Sequence, residues 1–317
     1  MDPRAVFERR VRRAVVPGLA ALAGLTLTAG MAAAQGAGSE ASTLLRLAPG
    51  ARPLALGHAF VAVRDPLALE YNPAATAVGG ITAGYQDLPV GASAGSSTVT
   101  FLAGPATLGV SLRFLNYGEV AVYEPTGVGP VGTPTGLTAT GGELSALVGG
   151  GVRLGPARLG LAARWLHLDV AGLADDAFVG DAGALLEPVR GLTLGVSYQG
   201  FGGDVEAGRA APLLRTLRVG AAVERWYGER LKAILTVEGR RREARIGGGF
   251  GLEIRGGTER LEAALRAGYE IKPDPDDAYS AFVFGGGVRL DRLTVELAYR
   301  ALGPLGSTRL VGLRYRF

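Results

Sequence analysis

The side chains that most often perform catalysis are scarce in this sequence. His58 and His167 are the only histidines and there is no cysteine, so thiolate nucleophiles, thiolate metal sites, disulfides and a lipidated N-terminal cysteine are all excluded. A hydrolase needs a nucleophile beside a base that a third group orients. Trp165 and Asp169 lie close to His167, but the spacing assembles no such set. We therefore predict a non-enzymatic protein with no catalytic residue, no bound metal and no cofactor.

Three aspartates in one short stretch are the remaining candidates for metal chemistry. Asp274, Asp276 and Asp277 could bind a divalent cation in a loop, since hard cations prefer carboxylate oxygens. Carboxylates that are simply solvated in a loop are the alternative interpretation, and we adopt that one.

Most of the charged side chains are arginines and glutamates that alternate with apolar residues. In residues 292–300, Leu297 and Tyr299 point to one side of an extended chain, while Glu296 and Arg300 point to the other. A helix would scatter these charges around its circumference. The pattern recurs from about residue 81 onward in runs of roughly 8 to 12 residues, the length that a tilted strand needs to cross a bilayer.

Fourteen such runs can be counted. They lie near 81–86, 96–102, 106–115, 142–152, 157–168, 177–187, 191–199, 214–224, 230–240, 243–254, 260–270, 279–288, 292–301 and 308–317. Connections such as 153–156 are short, and they alternate with connections that are usually longer, such as 116–141. Short periplasmic turns and longer outer loops are typical of outer-membrane barrels. We therefore predict an all-β fold, a transmembrane antiparallel β-barrel of about 14 strands, in contact with lipid in the bacterial outer membrane.

A water-soluble β-sandwich or barrel would also alternate apolar and polar side chains. Two features favour the membrane. The apolar face repeats at bilayer-spanning length in nearly every run, and Trp226 and Tyr227 fall in a predicted short turn, where they could join an aromatic girdle.

The charged face of the predicted barrel points into its lumen. We expect it to include Arg113, Arg164, Arg218, Glu224, Glu238, Glu253, Glu262, Arg266, Glu296 and Arg300 as lumen-lining residues. Arg158, Glu270, Arg314 and Arg316 are expected on the same face. Mixed charges predict cross-strand ion pairs around a plugged or narrow interior. An anion-selective ring of arginines is the alternative.

The first 34 residues have the composition of a secretory signal. Five arginines precede an uncharged stretch from Ala14 to Leu27, and small residues at 32–34 precede Gln35. We predict cleavage after Ala34, with a retained membrane anchor as the alternative. Without these residues the chain carries 28 basic and 27 acidic side chains. The formal charge of the full chain therefore does not indicate a nucleic-acid partner.

The last run ends on aromatic residues at alternate positions. Tyr315 and Phe317 lie on the apolar side, between Arg314 and Arg316 on the polar side. This ending resembles the C-terminal signal that the outer-membrane assembly machinery recognises in bacterial barrels. We predict that Tyr315 and Phe317 form an assembly signal and that the barrel assembly machinery is a partner.

The segment before the first strand has a different character. Residues 44–79 do not alternate at strand length, and Asp65-Pro66 and Asn72-Pro73 each place an N-cap residue before a proline, which predicts two short helical turns. Further motifs are Gly50-Ala51-Arg52, Leu54, Gly57, Ala59-Phe60-Val61-Ala62-Val63, Tyr71-Asn72-Pro73-Ala74 and, more weakly, residues 114–118, 265–269 and the terminal Tyr315-Arg316-Phe317. In these motifs, which extend over most of the mature chain, the sequence resembles the PorV/PorQ family, within the wider FadL-like barrels. His58 stands where such sequences commonly have glycine.

The resemblance implies a barrel whose N-terminal segment is folded into or beneath the lumen. The plug or gate candidates that it implies are Arg52, His58, Phe60, Asp65, Tyr71, Asn72 and Pro73. The predicted organisation is a signal peptide at 1–34, an N-terminal plug or hatch segment at 35–80 and an outer-membrane barrel at 81–317. In FadL-like members a related segment gates the passage of hydrophobic molecules, whereas PorV-like members bind and shuttle cargo proteins in type IX secretion.

Glycine triplets at Gly149–Gly151, Gly247–Gly249 and Gly285–Gly287 fall inside predicted strands. Glycine in a strand marks a bend or a close backbone approach. Our hypothesis is that some of these triplets leave room for residues 44–79 inside the barrel, with simple barrel curvature as the alternative.

Two functions therefore follow as expectations. The first is a type IX secretion component that binds or shuttles secreted cargo proteins, with the loop at 116–141 as the docking site. The second is a FadL-like channel for hydrophobic small molecules, which predicts an apolar pocket beside the plug. Leu115, Leu166 and Leu168 are the candidate apolar cluster for that pocket.

Overall fold

The computed structural model describes residues 42–76, 78–124, 132–170, 172–202, 215–242, 245–271 and 280–317. Within these residues the chain forms a closed β-barrel of 14 strands and a separate two-stranded hairpin. The ring closes where the first strand pairs antiparallel with the last, in a register that sets Ile81 opposite Tyr315. The predicted antiparallel barrel of 14 strands is confirmed.

The strands follow one another around the ring in chain order, apart from the hairpin β4–β5. Their bounds are β1 Gly80–Asp87, β2 Ser93–Ala103, β3 Ala106–Asn116, β4 Val120–Glu124, β5 Thr133–Ala139, β6 Gly141–Leu154, β7 Ala157–Val170, β8 Leu173–Val189, β9 Leu192–Gly202, β10 Thr216–Tyr227, β11 Leu231–Arg242, β12 Arg245–Gly257, β13 Leu261–Ile271, β14 Phe282–Leu290, β15 Leu293–Ala301 and β16 Ser307–Tyr315. Because β4 and β5 pair only with each other, β3 pairs directly with β6.

Alternate side chains of each barrel strand face outward and are apolar. In β13, Leu265 is 75% exposed, whereas the next residue, Arg266, is 5% exposed. A soluble protein rarely exposes apolar surface of this extent. The outward band of apolar side chains, flanked by aromatic residues, is the surface that a bilayer covers in an outer-membrane barrel.

The two ends of the barrel differ in the length of their connections. Six turns of two or three residues lie at one end, at 104–105, 155–156, 190–191, 228–230, 258–260 and 291–292. We call this the periplasmic end, because short turns face the periplasm in outer-membrane barrels. The opposite end, which carries the hairpin β4–β5, is the outer end.

Residues 42–76 fold into short helical pieces inside the ring, and we call the segment at 42–79 the plug. Helix α1 spans Ala51–Ala55, and 3-10 helices span Leu44–Arg46, Pro66–Glu70 and Pro73–Ala75. Two further 3-10 helices lie in outer connections, at Pro89–Gly91 and Gly303–Leu305.

The two predicted helical turns of the plug are confirmed, with their caps. The side chain of Asp65 accepts a hydrogen bond from the Leu67 amide at 2.9 Å, and that of Asn72 accepts one from the Ala74 amide at 3.0 Å. Helix α1 was not predicted, because its N-cap residue, Gly50, has no side chain that could mark its start. Among the described residues, no helix is long and apolar enough to cross a membrane.

Two details of the sequence prediction differ from the structure. The connection at 116–141 contains the hairpin β4–β5, which was not predicted. Trp226 and Tyr227 belong to the end of β10 and not to a turn, because the pairing of β10 with β11 continues to Tyr227 opposite Leu231. The predicted signal peptide, the cleavage after Ala34 and the three aspartates at 274, 276 and 277 lie outside the described residues.

Candidate functional site in the barrel lumen

The plug runs through the lumen from the outer end to the periplasmic end. Its first residues bind Glu143, at the outer end of β6. Ser42 donates a hydrogen bond to the Glu143 carboxylate through its hydroxyl, and the amides of Thr43 and Leu44 donate to the same carboxylate at 2.8 and 3.1 Å. The plug ends at Gly79, where β1 begins at the periplasmic end.

A network of buried ion pairs joins the middle of the plug to the barrel wall. Arg52 contacts Asp65 at 2.6 Å and Glu253 at 2.9 Å. Asp65 also contacts Arg314 at 2.8 Å. On the wall, Arg266 contacts Glu253 and also Glu296, the latter at 2.8 Å. We call this set, none of which is more than 5% exposed, the central ion network: Arg52, Asp65, Glu253, Arg266, Glu296 and Arg314.

The central ion network contains three arginines and three carboxylates, so its formal charges cancel. Burial alone would raise the pKa of Asp65, but the positive charges of Arg314 and Arg52 outweigh it and lower that pKa. Burial likewise opposes the charge on Arg52, but Glu253 and Asp65 raise its pKa overall. Both side chains are therefore charged at neutral pH, and their ion pairs fasten the plug to β12 and β16.

A second ion cluster lies nearer the outer end. Glu70, at the end of a plug helix, contacts Arg164 at 3.0 Å and Arg113 at 3.5 Å. Arg164 also contacts Asp181 of β8 at 3.4 Å. Although burial raises the pKa of Glu70, the charges of Arg164 and Arg113 lower it to about 2. Glu70 is therefore ionised in the folded protein and binds the plug to β3 and β7.

Glu238 of β11 holds a turn of the plug through its backbone. Its carboxylate accepts hydrogen bonds from the amides of Phe60 and Val61, both at 2.9 Å, and contacts Arg218 at 2.6 Å. Asn72 fixes the same turn from the other side, because its side-chain amide donates to the carbonyl of Val61 at 2.9 Å. The predicted plug residues Phe60 and Asn72 thus share one contact region.

His58 occupies a backbone conformation that glycine adopts more readily. Its φ is 60°, in the left-handed region that strains residues with a Cβ. Its Nδ1 lies 3.0 Å from the Tyr71 hydroxyl, and its Nε2 lies 3.9 Å from Glu270. Burial lowers the pKa of His58 well below its ordinary value, against the opposing effect of Glu270 and together with the positive charges of nearby arginines. His58 is therefore a neutral, buried side chain that joins the plug to β13.

Glycines on the wall give the plug backbone its seat. A Cβ on Gly249 would lie 2.0 Å from the carbonyl oxygen of Gly57, and one on Gly151 would lie 3.0 Å from the carbonyl oxygen of Pro73. A Cβ on Gly285 would lie 2.5 Å from that of Ala55. All three predicted glycine triplets therefore include a residue in contact with the plug, and the hypothesis that they make room for it is confirmed.

Further single glycines extend this seat. A Cβ on Gly160 would lie 2.2 Å from the amide of Ala74, and one on Gly183 would lie 2.0 Å from Oδ1 of Asn72. These contacts place Asn72 and Pro73, two of the predicted plug residues, directly against β7 and β8.

The ten predicted lumen-lining residues all face the interior. Eight of them are buried: Arg113, Arg164, Arg218, Glu238, Glu253, Arg266, Glu296 and Arg300. Glu224 and Glu262 are half-buried near the periplasmic end, where Glu224 contacts Lys232 at 2.5 Å and Glu262 contacts Arg255 at 3.6 Å. The predicted cross-strand ion pairs around a plugged interior are confirmed, and an open ring of arginines is not what the described residues form.

Several lumen residues escaped the sequence prediction. Glu70, Glu143, Asp181 and Arg240 are buried and charged, and Arg240 pairs with Glu270. Arg240 is the first of three consecutive arginines, where no alternation can be read. Glu70 belongs to the plug, where no strand period applies.

Apolar side chains line the lumen at its outer end. Leu166 and Leu168 pack with Ala177 and Val179, against Leu45 of the plug. Leu115 packs separately with Leu44 and Ala94. The three predicted leucines are thus inward and buried, but they belong to two clusters and not to one. We call these groups the outer apolar clusters: Leu45, Leu166, Leu168, Ala177 and Val179, and Leu44, Ala94 and Leu115.

A small polar cavity of about 40 Å³ lies beneath the first outer apolar cluster. Its lining includes Leu45 and Val179 on the apolar side, and Glu70, Arg164 and Arg218 on the charged side. The lumen therefore changes from apolar to charged within a short distance below the outer end.

The described residues around His167 do not assemble a three-residue catalytic set. His167 Nδ1 lies 3.0 Å from Asp176, which also accepts a hydrogen bond from Trp165 at 2.9 Å. Asp169 instead accepts from the amide of Gly172. Within the described ranges no group of three or more His, Asp or Glu side chains could hold a metal ion.

The terminal aromatic residues lie on the outward surface. Tyr315 is 41% exposed and Phe317 is 60% exposed, and the ring of Phe317 stacks on Phe101 with centroids 5.7 Å apart. Their location agrees with the predicted assembly signal, whose role stays a prediction.

The fold and the filled lumen define the class of protein. The chain is a bacterial outer-membrane β-barrel with an N-terminal plug. Among solved structures it is similar to the Ralstonia pickettii toluene transporter TbuX, with 13% identity over 87% of this chain and 99% of that chain and a TM-score of 0.56. It is also similar to the P. putida toluene transporter TodX, with 14% identity over 84% of this chain and 98% of that chain and a TM-score of 0.56.

A Pseudomonas aeruginosa FadL homologue matches with 12% identity over 84% of this chain and 94% of that chain, at a TM-score of 0.49. The two toluene transporters thus share the barrel fold of this chain. No protein-family model matches the chain, and no curated protein matches it. None of the comparisons supports the narrower resemblance to the PorV/PorQ family.

Proposed function

We propose that this protein is an outer-membrane channel for hydrophobic small molecules. The observation that carries the proposal is the apolar outer part of a lumen that a plug fills. TbuX and TodX, which have the same fold, are described as toluene transporters. A molecule of similar chemistry is the substrate class that we assign to this barrel.

The distribution of side chains in the lumen favours an apolar cargo over ions or sugars. A water-filled porin needs an open polar channel, whereas here the plug and the central ion network occupy the middle of the lumen. Apolar binding sites have mainly hydrophobic walls with a few polar groups that set orientation. The outer apolar clusters above the charged floor of Glu70 and Arg164 have this composition.

The first part of the plug is the candidate gate. Leu44 belongs to one outer apolar cluster, and Leu45 packs against the other. Their backbone is held by the Glu143 carboxylate and by Arg113, whose guanidinium donates to the carbonyl oxygens of Leu44 and Leu47 at 2.9 and 2.8 Å. An apolar molecule that enters the clusters must therefore contact this part of the plug first.

Uptake of a labelled apolar compound tests the proposal. We expect a deletion strain to take up labelled toluene more slowly and the wild-type gene to restore the rate. The variant Leu168→Gln, which places an amide in an outer apolar cluster, is expected to restore uptake at least fivefold less well. Leu137→Gln, on the exposed hairpin β4–β5, is the matched control and is expected to restore it fully. Equal uptake with and without the gene, or equal rescue by both variants, contradicts the proposal.

A second candidate function is the binding of a secreted cargo protein, as in type IX secretion. The hairpin β4–β5 favours it, since Val120, Tyr123 and Leu137 are each more than half exposed on a structure that stands outside the ring. Removing residues 120–139 and measuring cargo capture from native detergent tests this function. Loss of capture with unchanged toluene uptake would favour cargo binding, whereas unchanged capture would oppose it.

We also propose that residues 1–34 are removed as a signal peptide, leaving the plug and the barrel, and that the barrel assembly machinery inserts the chain by its terminal strand. The mass of the purified protein tests the cleavage after Ala34. Phe317→Ser is expected to reduce the amount of barrel in the outer membrane, as measured by heat-modifiable gel migration.

A further inference from the structure

A cavity of about 350 Å³ lies at the periplasmic end of the lumen, between the plug and the wall. It is lined by two carboxylates, Glu187 and Glu224, and by many more cationic groups. The cationic groups are Arg52, Arg64, Arg153, Arg158, Lys232, Arg255 and Arg316. The cavity lining therefore has an excess of positive charge, whereas the central ion network above it has equal numbers of arginines and carboxylates.

Four of the cationic groups have carboxylate partners. Arg64 contacts Glu187 at 3.1 Å and Lys232 contacts Glu224 at 2.5 Å. Arg52 and Arg255 both contact Glu253, at 2.9 and 2.6 Å. These pairs use both carboxylates of the cavity lining.

The other three, Arg153, Arg158 and Arg316, make no ion pair with any residue that the structure describes. Arg153 donates a hydrogen bond through Nε to the carbonyl of Gly155 at 3.2 Å. Arg158 donates to the carbonyl oxygens of Ala74 and Thr76 at 2.9 and 3.1 Å. Hydrogen bonds to carbonyls orient the guanidinium groups of Arg153 and Arg158 but bring no negative charge to them.

Positive charges also surround each of these arginines. Arg158 lies within electrostatic range of Arg153 and Arg64, and Arg316 lies near Arg314 and Arg255, with Asp65 as its nearby carboxylate. Like charges that are gathered around one cavity repel each other, and a bound anion relieves that repulsion.

We propose that this cavity is a binding site for a small phosphate-type anion, held by Arg153 and Arg158, which lie opposite each other on β6 and β7. The planar guanidinium group presents paired N–H donors that match phosphate oxygens. The cavity volume of about 350 Å³ is more than ten times the share of one water in the liquid, which is about 30 Å³, so the cavity accommodates a phosphate or phosphomonoester with part of its hydration shell.

Calorimetric titration of the purified full-length barrel, in an uncharged detergent at low ionic strength, tests the site with inorganic phosphate as the probe. We expect saturable binding. Arg153→Gln, which removes no side-chain hydrogen bond or ion pair to a described plug residue, is expected to weaken it at least threefold, and the double variant Arg153→Gln with Arg158→Gln at least tenfold. Arg190→Gln, on an exposed periplasmic turn outside the cavity lining, is the matched control and is expected to bind as the wild type does.

Absence of saturable phosphate binding to the wild type overturns the proposal. So does equal weakening by Arg190→Gln and Arg153→Gln, because that result means general surface charge. Heat-modifiable migration of each variant establishes that the barrel is folded, so a loss of binding cannot be assigned to misfolding.

A competition experiment distinguishes a soluble phosphomonoester from a lipid headgroup as the natural source of the phosphate group. Glycerol phosphate that displaces inorganic phosphate, when short-chain phosphatidylglycerol does not, indicates a soluble phosphomonoester. Displacement by the short-chain lipid indicates a lipid headgroup, and either displacement supports the site. Since the cavity lies at the opposite end of the lumen from the outer apolar clusters, loss of anion binding and loss of toluene uptake are distinguishable results.

Discussion

Replacing Gly249 by alanine is expected to destabilise the seat of the plug. A Cβ on Gly249 would lie 2.0 Å from the carbonyl oxygen of Gly57 and 3.1 Å from its carbonyl carbon. Ordinary van der Waals contact begins near 3.4 Å, so the two backbones would have to separate by about 1.4 Å. Both atoms belong to main chain and not to a flexible side chain, so the strain cannot be relieved by a change of rotamer.

Gly57 has little room in which to retreat. It also lies against β13, where a Cβ on Gly268 would be 2.3 Å from the Gly57 amide. Residues on both sides of it are fixed, since Arg52 and Asp65 belong to the central ion network. Overpacking of an interior costs about 1–3 kcal/mol, and two confined backbones place this substitution at the upper end. We expect a loss of about 3 kcal/mol in the free energy of unfolding.

The matched control is Gly239→Ala in β11, where an added Cβ would meet no atom within 4 Å. Urea titration in detergent, followed by tryptophan fluorescence and heat-modifiable migration, measures both variants. Protease cleavage within residues 42–79 reports whether the plug has left its seat. Equal unfolding midpoints for the two variants, with equal protease resistance of the plug, would refute the steric account of the glycine seat.

Three further predictions use the same unfolding measurement. Glu253→Gln removes one carboxylate charge from the buried Arg52 and Arg266 and is expected to cost about 3–5 kcal/mol, whereas the exposed Glu229→Gln is expected to change stability by less than about 0.5 kcal/mol; equal effects would contradict the ion-network account. The folded-state pKa of Glu70 is about 2, below its ordinary 4.5, so its stabilising contribution is complete above about pH 4.5 and is lost as the pH falls toward 2. Glu70→Gln should therefore show a weaker loss of stability in that range, and an unchanged pH profile would oppose the assignment. Leu265→Arg places a charge on the lipid face and is expected to cost about 2–4 kcal/mol, whereas Leu305→Arg in an outer connection should cost almost nothing; tolerance of both in lipid vesicles would argue against a bilayer around β13.

The strands could be predicted because the bilayer and the lumen impose opposite chemistry on neighbouring residues. Leu265 and Arg266 differ in exposure as their types require, and a shift by one residue would place the arginine in lipid. Every barrel strand carries this constraint, so its period can be read without knowledge of its partners. The hairpin β4–β5 lies outside the bilayer and has no such constraint, so the sequence pattern of 116–141 predicts only a loop.

The sequence predicts which side chains face the lumen, but it does not predict which plug residue each of them contacts. The alternation places Glu253 on the inner wall, yet its closest plug contact, Arg52, lies 201 positions earlier in the chain. Pairing at that separation depends on where the plug settles, and no local pattern records it. Asp181 illustrates a second limit, because the glycines and alanines around it in β8 leave the polar and apolar faces weakly distinguished.

The motif that carried the family resemblance describes the seat of the plug more than an activity. Asp65 caps a plug helix and joins the central ion network, and Asn72 caps the next helix while binding the carbonyl of Val61. Any barrel that holds its plug in this manner requires such residues, whatever it transports. This explains why the motif indicated the outer membrane and a filled lumen, but did not separate secretion from hydrophobic transport.

Passage of an apolar molecule, as proposed above, requires a movement smaller than release of the whole plug. Asp65, Glu70, Glu238 and Glu253 each hold the plug to the wall through buried contacts, and breaking one buried pair costs about 3–5 kcal/mol. A ligand of micromolar affinity supplies about 8 kcal/mol, which is less than the release of all four would cost. Movement must therefore be confined to the outer stretch at 42–48, whose backbone is held by Glu143 and Arg113 and whose leucines already line the apolar clusters.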